Sequence, residues 1–315
     1  MTTTGPRPVA KVIEPGPFST IQDAGRFGYR RFGVPASGAL DLRSLSLANR
    51  LLGNDPDSPA LEIFHGPVVV TATEDTVVSH SGCRAAASVD GRTREENPLE
   101  VHAGSTLRLE HRGASTIVYL AFAGGLAADR VMGSASTYTR ARIGGLQGRT
   151  LQSGDLIFTS GRSIEPTARR GLGGLEPREF HRAVPGPHAD LFSPGSLDRF
   201  FEGEYRVSLS SDRMGYRLEG PALGGFSGWG RVLTFPVFPG MVQVAPDGLP
   251  IVLMADCQTT GGYPVIAMVL GPDLCDLSQK PPGAAVRFER VSNEDSYSAL
   301  ESFNRATGLA PRPRR

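Results

Sequence analysis

Met241-Val-Gln-Val-Ala-Pro-Asp-Gly-Leu-Pro-Ile-Val-Leu-Met-Ala255 reads as strand, turn, strand. Pro246-Asp-Gly248 carries the turn chemistry. Proline presets φ, aspartate bonds to nearby backbone, and glycine accepts a positive φ. Met241 to Val244 and Pro250 to Met254 flank it as short apolar runs, so the turn joins a hairpin. Leu249 to Ala255 is the most apolar stretch of the chain, and its length fits a buried strand.

The same form recurs outward from this hairpin. Strands are predicted at Val68 to Thr73, Thr76 to His80, Ser105 to Glu110, Ser115 to Phe122 and Asp155 to Thr159. Further strands are predicted at Tyr205 to Ser210, Arg231 to Val237, Val265 to Leu270 and Ala285 to Arg290. Gly 39 and Pro 25 among 315 residues favour many short strands and tight turns over long helices. Asp41 is placed to cap a helix whose apolar stripe is Leu45, Leu47, Ala48, Leu51 and Leu52, with Gly53 as its C′ glycine. Two more helices fit Ser196 to Glu202 and Asp295 to Thr307.

The predicted class is therefore mainly β, in two lobes with a few short helices. Closed barrels would remove the sheet edges such a chain otherwise exposes. The boundaries expected are a first lobe at 8–165, a linker at 166–182, a second lobe at 183–292, and a helix and tail at 293–315. Arg169, Arg170, Gly171, Gly173, Gly174 and Pro177 mark the linker.

Composition excludes several functions. Lys+Arg 33 against Asp+Glu 32 leaves +1, so no strong field argues for nucleic acid or an anionic membrane. No apolar run approaches the ~20 residues that span a bilayer, and Met1 to Ala10 lacks a signal-peptide core. Three cysteines (Cys83, Cys257 and Cys275) suggest reduced thiols in a cytoplasmic protein. The only lysines are Lys11 and Lys280. That excludes a Walker A loop, and neither lysine lies in the Met-Lys-Met context of a biotinylated residue. The six histidines show no ligand spacing, so no metal is expected. His80-Ser-Gly-Cys83 reads as a strand end entering a turn.

Three polar, glycine-bearing segments carry the chemistry that remains. The first is Thr20-Ile-Gln-Asp-Ala-Gly-Arg-Phe-Gly-Tyr29 with Gly33-Val-Pro-Ala-Ser-Gly-Ala-Leu-Asp41. Asp23, Arg26, Ser37, Gly38 and Asp41 are its candidates, and the helix start after Ser37 can hold an anion or developing oxyanion. A capped helix with structural turns explains the same residues. The second is Ser210-Ser-Asp-Arg-Met-Gly-Tyr-Arg-Leu-Glu-Gly220. Arg213 can fork onto a carboxylate or phosphate, Asp212 can orient it or act as a base, and Arg217 follows on the strand. A structural Asp–Arg pair is the alternative. The third is Asp256-Cys-Gln-Thr-Thr-Gly-Gly-Tyr-Pro264, at the mouth of the apolar strand. Asp256, Gln258, Thr260 and Tyr263 can donate or accept there, and Gly261-Gly262 offers backbone N–H groups as an anion cradle. A β-bulge is the plainer reading. Cys257 has no local histidine to activate it.

These residues resemble a known family along nearly the whole chain, from about Val12 to Val291. The resemblance rests on Ile21-Gln-Asp-Ala-Gly-Arg26, Gly33-Val-Pro-Ala-Ser-Gly-Ala-Leu-Asp41, Ala48-Asn-Arg-Leu-Leu-Gly-Asn54, Gly133-Ser-Ala-Ser-Thr-Tyr138, Ser211-Asp-Arg-Met-Gly-Tyr-Arg-Leu218 and Gln258-Thr-Thr-Gly-Gly-Tyr-Pro264. It is to the biotin-dependent carboxyltransferase-domain family, also called the allophanate hydrolase subunit 2 type. It implies two cyclophilin-like β-barrel lobes and a cleft where loops of both meet; beyond the resemblance, 23–41, 211–217 and 256–263 are expected to converge on one hollow that holds negative charge. It implies a smaller partner of the allophanate hydrolase subunit 1 type and a third subunit of a 5-oxoprolinase complex. The activity implied is ATP-dependent opening of the 5-oxoproline lactam to glutamate. ATP is used by the complex, with no site assigned to this chain, and no biotin is carried covalently on it. Arg213, Asp212 and Asp256 would be catalytic. The alternatives are carboxyl transfer from N-carboxybiotin to a urea-like or amide acceptor, and non-catalytic binding of a kinase-inhibitor-like protein.

Overall fold

A computed structural model describes residues 5–82, 85–112, 116–160, 178–224, 226 and 232–309. Most of the expected linker, the tail from 310, Cys83 and Arg231 lie outside the described residues. The chain divides into two compact units. The first takes its described residues from 5–26, 37–160 and 307–309, and the second from 27–36 and 178–306.

In the first unit two sheets face each other. One runs in the order Leu126–Ala127, Leu156–Thr159, Arg7–Glu14, Val68–Ala72, Thr106–His111, Ala85–Val89, Arg92–Arg94. The other runs Phe18–Gln22, Ala60–Phe64, Ile117–Phe122, Thr76–Gly82, Leu99–Val101. Val12, Val70, Leu107, Leu109 and Ile157 from the first sheet meet Ile21, Ile63, Val78, Leu120 and Phe122 from the second in one core. Ile117–Phe122 is buried at every position. One face lies on that core, and helix α1 (Leu42–Leu51) packs on the strand as well. That double burial explains why the run lacks polar alternation. The helix forms where its caps predict. Asp41 accepts from Ser44 N at 3.0 Å, and Gly53 takes a φ of 71° past the end.

The second unit is a closed barrel among the described residues. Its strands are ordered Phe180–Pro185, Val265–Val269, Met241–Val244, Pro250–Leu253, Gly215–Glu219, Tyr205–Val207 and Ala285–Arg290, closed by parallel pairing of the last with the first. The hairpin expected at 241–255 is present: Val244 pairs with Pro250, and Gly248 has φ 82°. Helix α2 (Pro194–Glu202) brings Phe200 into a stack on Phe288, ring centroids 4.5 Å apart, with Tyr205 beside them. Helix α3 (Gly271–Ser278) was not predicted. Its start, Leu270-Gly-Pro, reads locally as a strand end, and its placement depends on the buried ion pair of Asp273 with Arg182 at 2.8 Å. Helix α4 (Asn293–Thr307) begins two residues before its predicted start. Among the described residues of the predicted strand 231–237, only Phe235–Pro236 is strand, paired with Thr260–Gly261. The mainly β class with a few short helices is thus the observed one. Among the described residues no helix is long and apolar enough to cross a membrane.

In the second unit His181 is fully buried beside Phe288. Burial pushes its imidazole down from 6.5 to about 4; the Lys280 charge adds to this and Asp273 opposes it. The folded-state value is depressed, so the unfolded chain binds the proton more readily. The stability linked to His181 is full above 6.5 and is lost as pH falls through about 4. Urea unfolding midpoints are expected to drop across that window, with a His181→Leu variant losing clearly less. Equal losses in the two proteins would contradict this.

Candidate functional site

Asp23 follows the strand Phe18–Gln22 and is nearly saturated by its own neighbourhood. Its Oδ1 accepts from Ser134 Oγ at 2.7 Å, Ser136 Oγ at 2.5 Å and Gly25 N at 2.9 Å, and its Oδ2 from Ala135 N at 2.6 Å. Arg26 is fully buried and donates to Val131 O at 2.9 Å and Ser136 O at 2.8 Å. The motif Gly133-Ser-Ala-Ser-Thr-Tyr138 is therefore the binding partner of Ile21-Gln-Asp-Ala-Gly-Arg26, a pairing invisible in either alone. Ser37 is buried with a left-handed φ of 53°, and Gly38 follows at 94°. A Cβ on Gly38 would stand 2.9 Å from Gly25 Cα, so the close approach itself demands glycine.

Asp41 places its carboxylate on the first turn of α1, accepting from Ser44 N and from Ser44 Oγ at 2.5 Å. The helix end expected to receive an anion thus already carries one from its own cap. Two residues that sequence reading passed over hold this segment. Glu62 Oε2 accepts from Leu40 N at 2.9 Å and from Tyr119 Oη at 2.5 Å, and Asp41 N donates to Tyr119 Oη at 2.9 Å. Burial, then the Glu62 charge, pushes the Tyr119 phenol well above its ordinary value.

In the second unit the structure joins two of the sequence segments directly. Arg213 Nε donates to Asp256 Oδ2 at 2.8 Å and Nη2 to Oδ1 at 3.2 Å. The backbone repeats the link, Asp256 N donating to Arg213 O at 2.8 Å. Both side chains are more than nine-tenths buried. The planar fork and the two-point geometry suit arginine and not lysine. Asp212, also weighed for Arg213 from sequence, is exposed. Its Oδ1 closes the turn by accepting from Met214 N at 2.8 Å and Gly215 N at 3.3 Å. Arg217 is exposed on the next strand, its backbone bridged to Ser211 Oγ.

The turn after Asp256 is built on amides. Gln258 Nε2 donates to Gln243 Oε1 at 3.3 Å, and Gln243 Nε2 to Tyr263 O at 3.4 Å. A Cβ on Gly261 would lie 2.7 Å from Gln243 Nε2, so a side chain there would ask the Gln243 amide to shift. Thr260, Gly262 and Tyr263 face solvent. Arg30, which sequence reading did not single out, arrives on the stretch 27–36. It donates to Gln258 O at 2.8 Å and to Val237 O, and lies 3.9 Å from Cys257 Sγ.

Cys257 is buried, and burial pushes its thiol up to about 11, against the pull of the Arg30 guanidinium. Such a thiol is a packing group, not a nucleophile. Folded protein at about pH 8 is expected to resist iodoacetamide at Cys257 by at least about a hundredfold relative to the unfolded chain. Peptide mapping showing comparable rates would contradict that. Among the described residues no group of three or more His, Cys, Asp or Glu is gathered to hold a metal.

Comparison with known proteins places this geometry in context. A family model described as carboxyltransferase domain, subdomain A and B, matches residues 32–290. A 5-oxoprolinase subunit of Escherichia coli is 38% identical over 94% of this chain and 95% of its own length. The crystal structure of TTHA0988 superposes with a TM-score of 0.79 at 34% identity, covering 92% of this chain and 57% of that one. The Kluyveromyces lactis urea carboxylase structure gives a TM-score of 0.89 at 28% identity, over 97% of this chain and 29% of that one. The chain thus spans just over half of the first of these structures and under a third of the second.

Proposed function

The chain belongs to the carboxyltransferase domain, subdomain A and B family, and from that premise we propose that it is a subunit of an ATP-dependent 5-oxoprolinase complex. The carrying observation is the near end-to-end match with the E. coli 5-oxoprolinase subunit, 38% identical over 95% of that protein. The urea carboxylase resemblance, by contrast, covers a fraction of a much longer chain.

The reaction defines what the site must supply. Amide resonance makes an unstrained lactam a poor electrophile. Phosphorylation of the amide oxygen activates the carbon, one water adds there and the ring nitrogen departs as the amine, which leaves an acyl phosphate; a second water then releases phosphate and leaves the carboxylate. Overall, ATP and two waters are consumed, and glutamate, ADP and phosphate are formed. Such chemistry needs oriented donors and a positioned base more than a strong nucleophile.

Arg213 and Asp256 act as one unit in this reading. The guanidinium fixes both carboxylate oxygens, so Asp256 presents a defined lone-pair direction to a water or a substrate N–H. Asp212 is the second, solvent-facing carboxylate of the segment. Thr260, Tyr263 and the N–H of Gly262 are the donors toward a carbonyl or carboxylate, Gly261 gives them the room to approach, and Gln258 and Arg217 flank them. Asp23, Arg26 and Asp41 serve the first unit as scaffold, since each bonds to backbone or hydroxyls of that unit. The partners are the smaller subunit of the allophanate hydrolase subunit 1 type and a third subunit, in the cytoplasm. ATP enters as a co-substrate of the complex.

Carboxyl transfer is the second reading, favoured by the fit to urea carboxylase at a TM-score of 0.89. One experiment separates the two. The assembled complex is given 5-oxoproline with ATP, and separately N-carboxybiotin with urea. The first reading expects ADP release with 5-oxoproline alone. Carboxylated urea without ADP release would replace it with the second.

A further inference from the structure

We propose that Arg30 is a positioning residue that holds the Asp256–Tyr263 turn in its working geometry; this rests on the reading that the turn carries the chemistry. The chain leaves the first unit after Arg26 and re-enters it at Ser37, and the stretch 27–36 gathers with the second unit. Arg30 opens a single 3-10 turn, Arg30–Phe32, closed by Gly33 at φ 81°. Its guanidinium is half-buried, and Nη2 donates to the carbonyls of Val237 and Gln258.

Those two carbonyls stand at one end of a small ribbon. Phe235–Pro236 pairs with Thr260–Gly261, and Val237 N donates to Thr259 O at 3.0 Å. One nitrogen therefore ties both strands of the ribbon where they part. Both acceptors are backbone, so the side chain fixes chain path and not a neighbouring rotamer. The turn is then held at two points: at 256 by Arg213, and at 258 by Arg30. The two arginines differ in charge balance. Arg213 has the Asp256 carboxylate, whereas among the described residues Arg30 forms no ion pair, and its Nη1 is buried without a partner. A charged donor retained on neutral oxygens is costly unless its bonds do something a neutral residue would not. Holding two backbone carbonyls from one guanidinium nitrogen is that role.

The test uses the full complex carrying Arg30→Met or Arg30→Lys. In Arg30→Met, hydrogen exchange is expected to accelerate at 235–237 and 257–263 while the barrel strands keep wild-type rates. The kcat is expected to fall about 100-fold, as for a misplaced catalytic loop, with little change in KM for ATP. Arg30→Lys, which keeps the charge and one donor, is expected to recover part of both. Wild-type exchange at 257–263, or unchanged kcat, overturns the proposal. Should Arg30→Met fail to fold, Arg30→Lys and Arg30→Gln carry the same comparison. If the wild-type complex turns over no 5-oxoproline, the functional reading fails on that observation. The exchange data still decide whether Arg30 holds the turn.

Discussion

Replacing Arg213 with alanine is expected to cost the second unit about 3–5 kcal/mol and to remove turnover. The cost follows from what is left behind. Asp256 loses the two bonds that compensate its charge, at 2.8 and 3.2 Å, while its side chain stays only 8% exposed. An uncompensated buried carboxylate is among the few single changes that destabilise on this scale. Arg213→Lys keeps the charge and loses the fork, so it falls between wild type and alanine. The double variant Arg213→Met, Asp256→Leu separates the two consequences. Apolar replacement of a buried pair is often neutral for stability, so the double variant is expected to regain most of the urea midpoint and none of the activity. An Arg213→Ala protein that unfolds and turns over like wild type removes the pair from both roles.

Asp23→Ala is expected to prevent the first unit from folding. The carboxylate satisfies four buried or half-buried donors, from Gly25, Ser134, Ala135 and Ser136. Each donor left unsatisfied in the interior costs about 1–3 kcal/mol, comparable in sum with the whole stability of a domain. Asp23→Asn preserves one acceptor oxygen and the side-chain shape, so it is expected to fold with a lowered midpoint. Soluble yield and far-ultraviolet circular dichroism read the result. An alanine variant within about 1 kcal/mol of wild type would show that water replaces the carboxylate freely.

How far the sequence foretold this depends on how local each signal is. The hairpin around Pro246-Asp-Gly248 and the cap of α1 at Asp41 are written in adjacent residues, and both formed where expected. The Arg213–Asp256 pair spans 43 residues, and the Asp23 bonds to Ser134 and Ser136 span 111 and 113. Sequence reading marked both ends of each link as unusual and could not join them, because hydrogen-bond partnership across a sheet leaves no periodic trace. It weighed the adjacent Asp212 for Arg213, since adjacency in sequence was all it had, and did not join Arg213 to Asp256. Tyr119 went unnoticed inside a strand that reads as apolar, and the strand that holds Glu62, Ala60–Phe64, was not predicted. Arg30 was hidden by Arg26 and Arg31, which carry the same side chain nearby. Helix α3 was missed because eight residues opening on Gly-Pro give too little pattern to outweigh the preceding strand.

The central claim is that this chain is a necessary part of a lactam-opening enzyme. The most direct measurement is glutamate formation from 5-oxoproline and ATP by the partner subunits, purified with and without this chain. The account predicts glutamate and ADP in equal amounts when the chain is present and neither above background when it is omitted. Equal glutamate production without the chain, or none from the complete assembly, would contradict it.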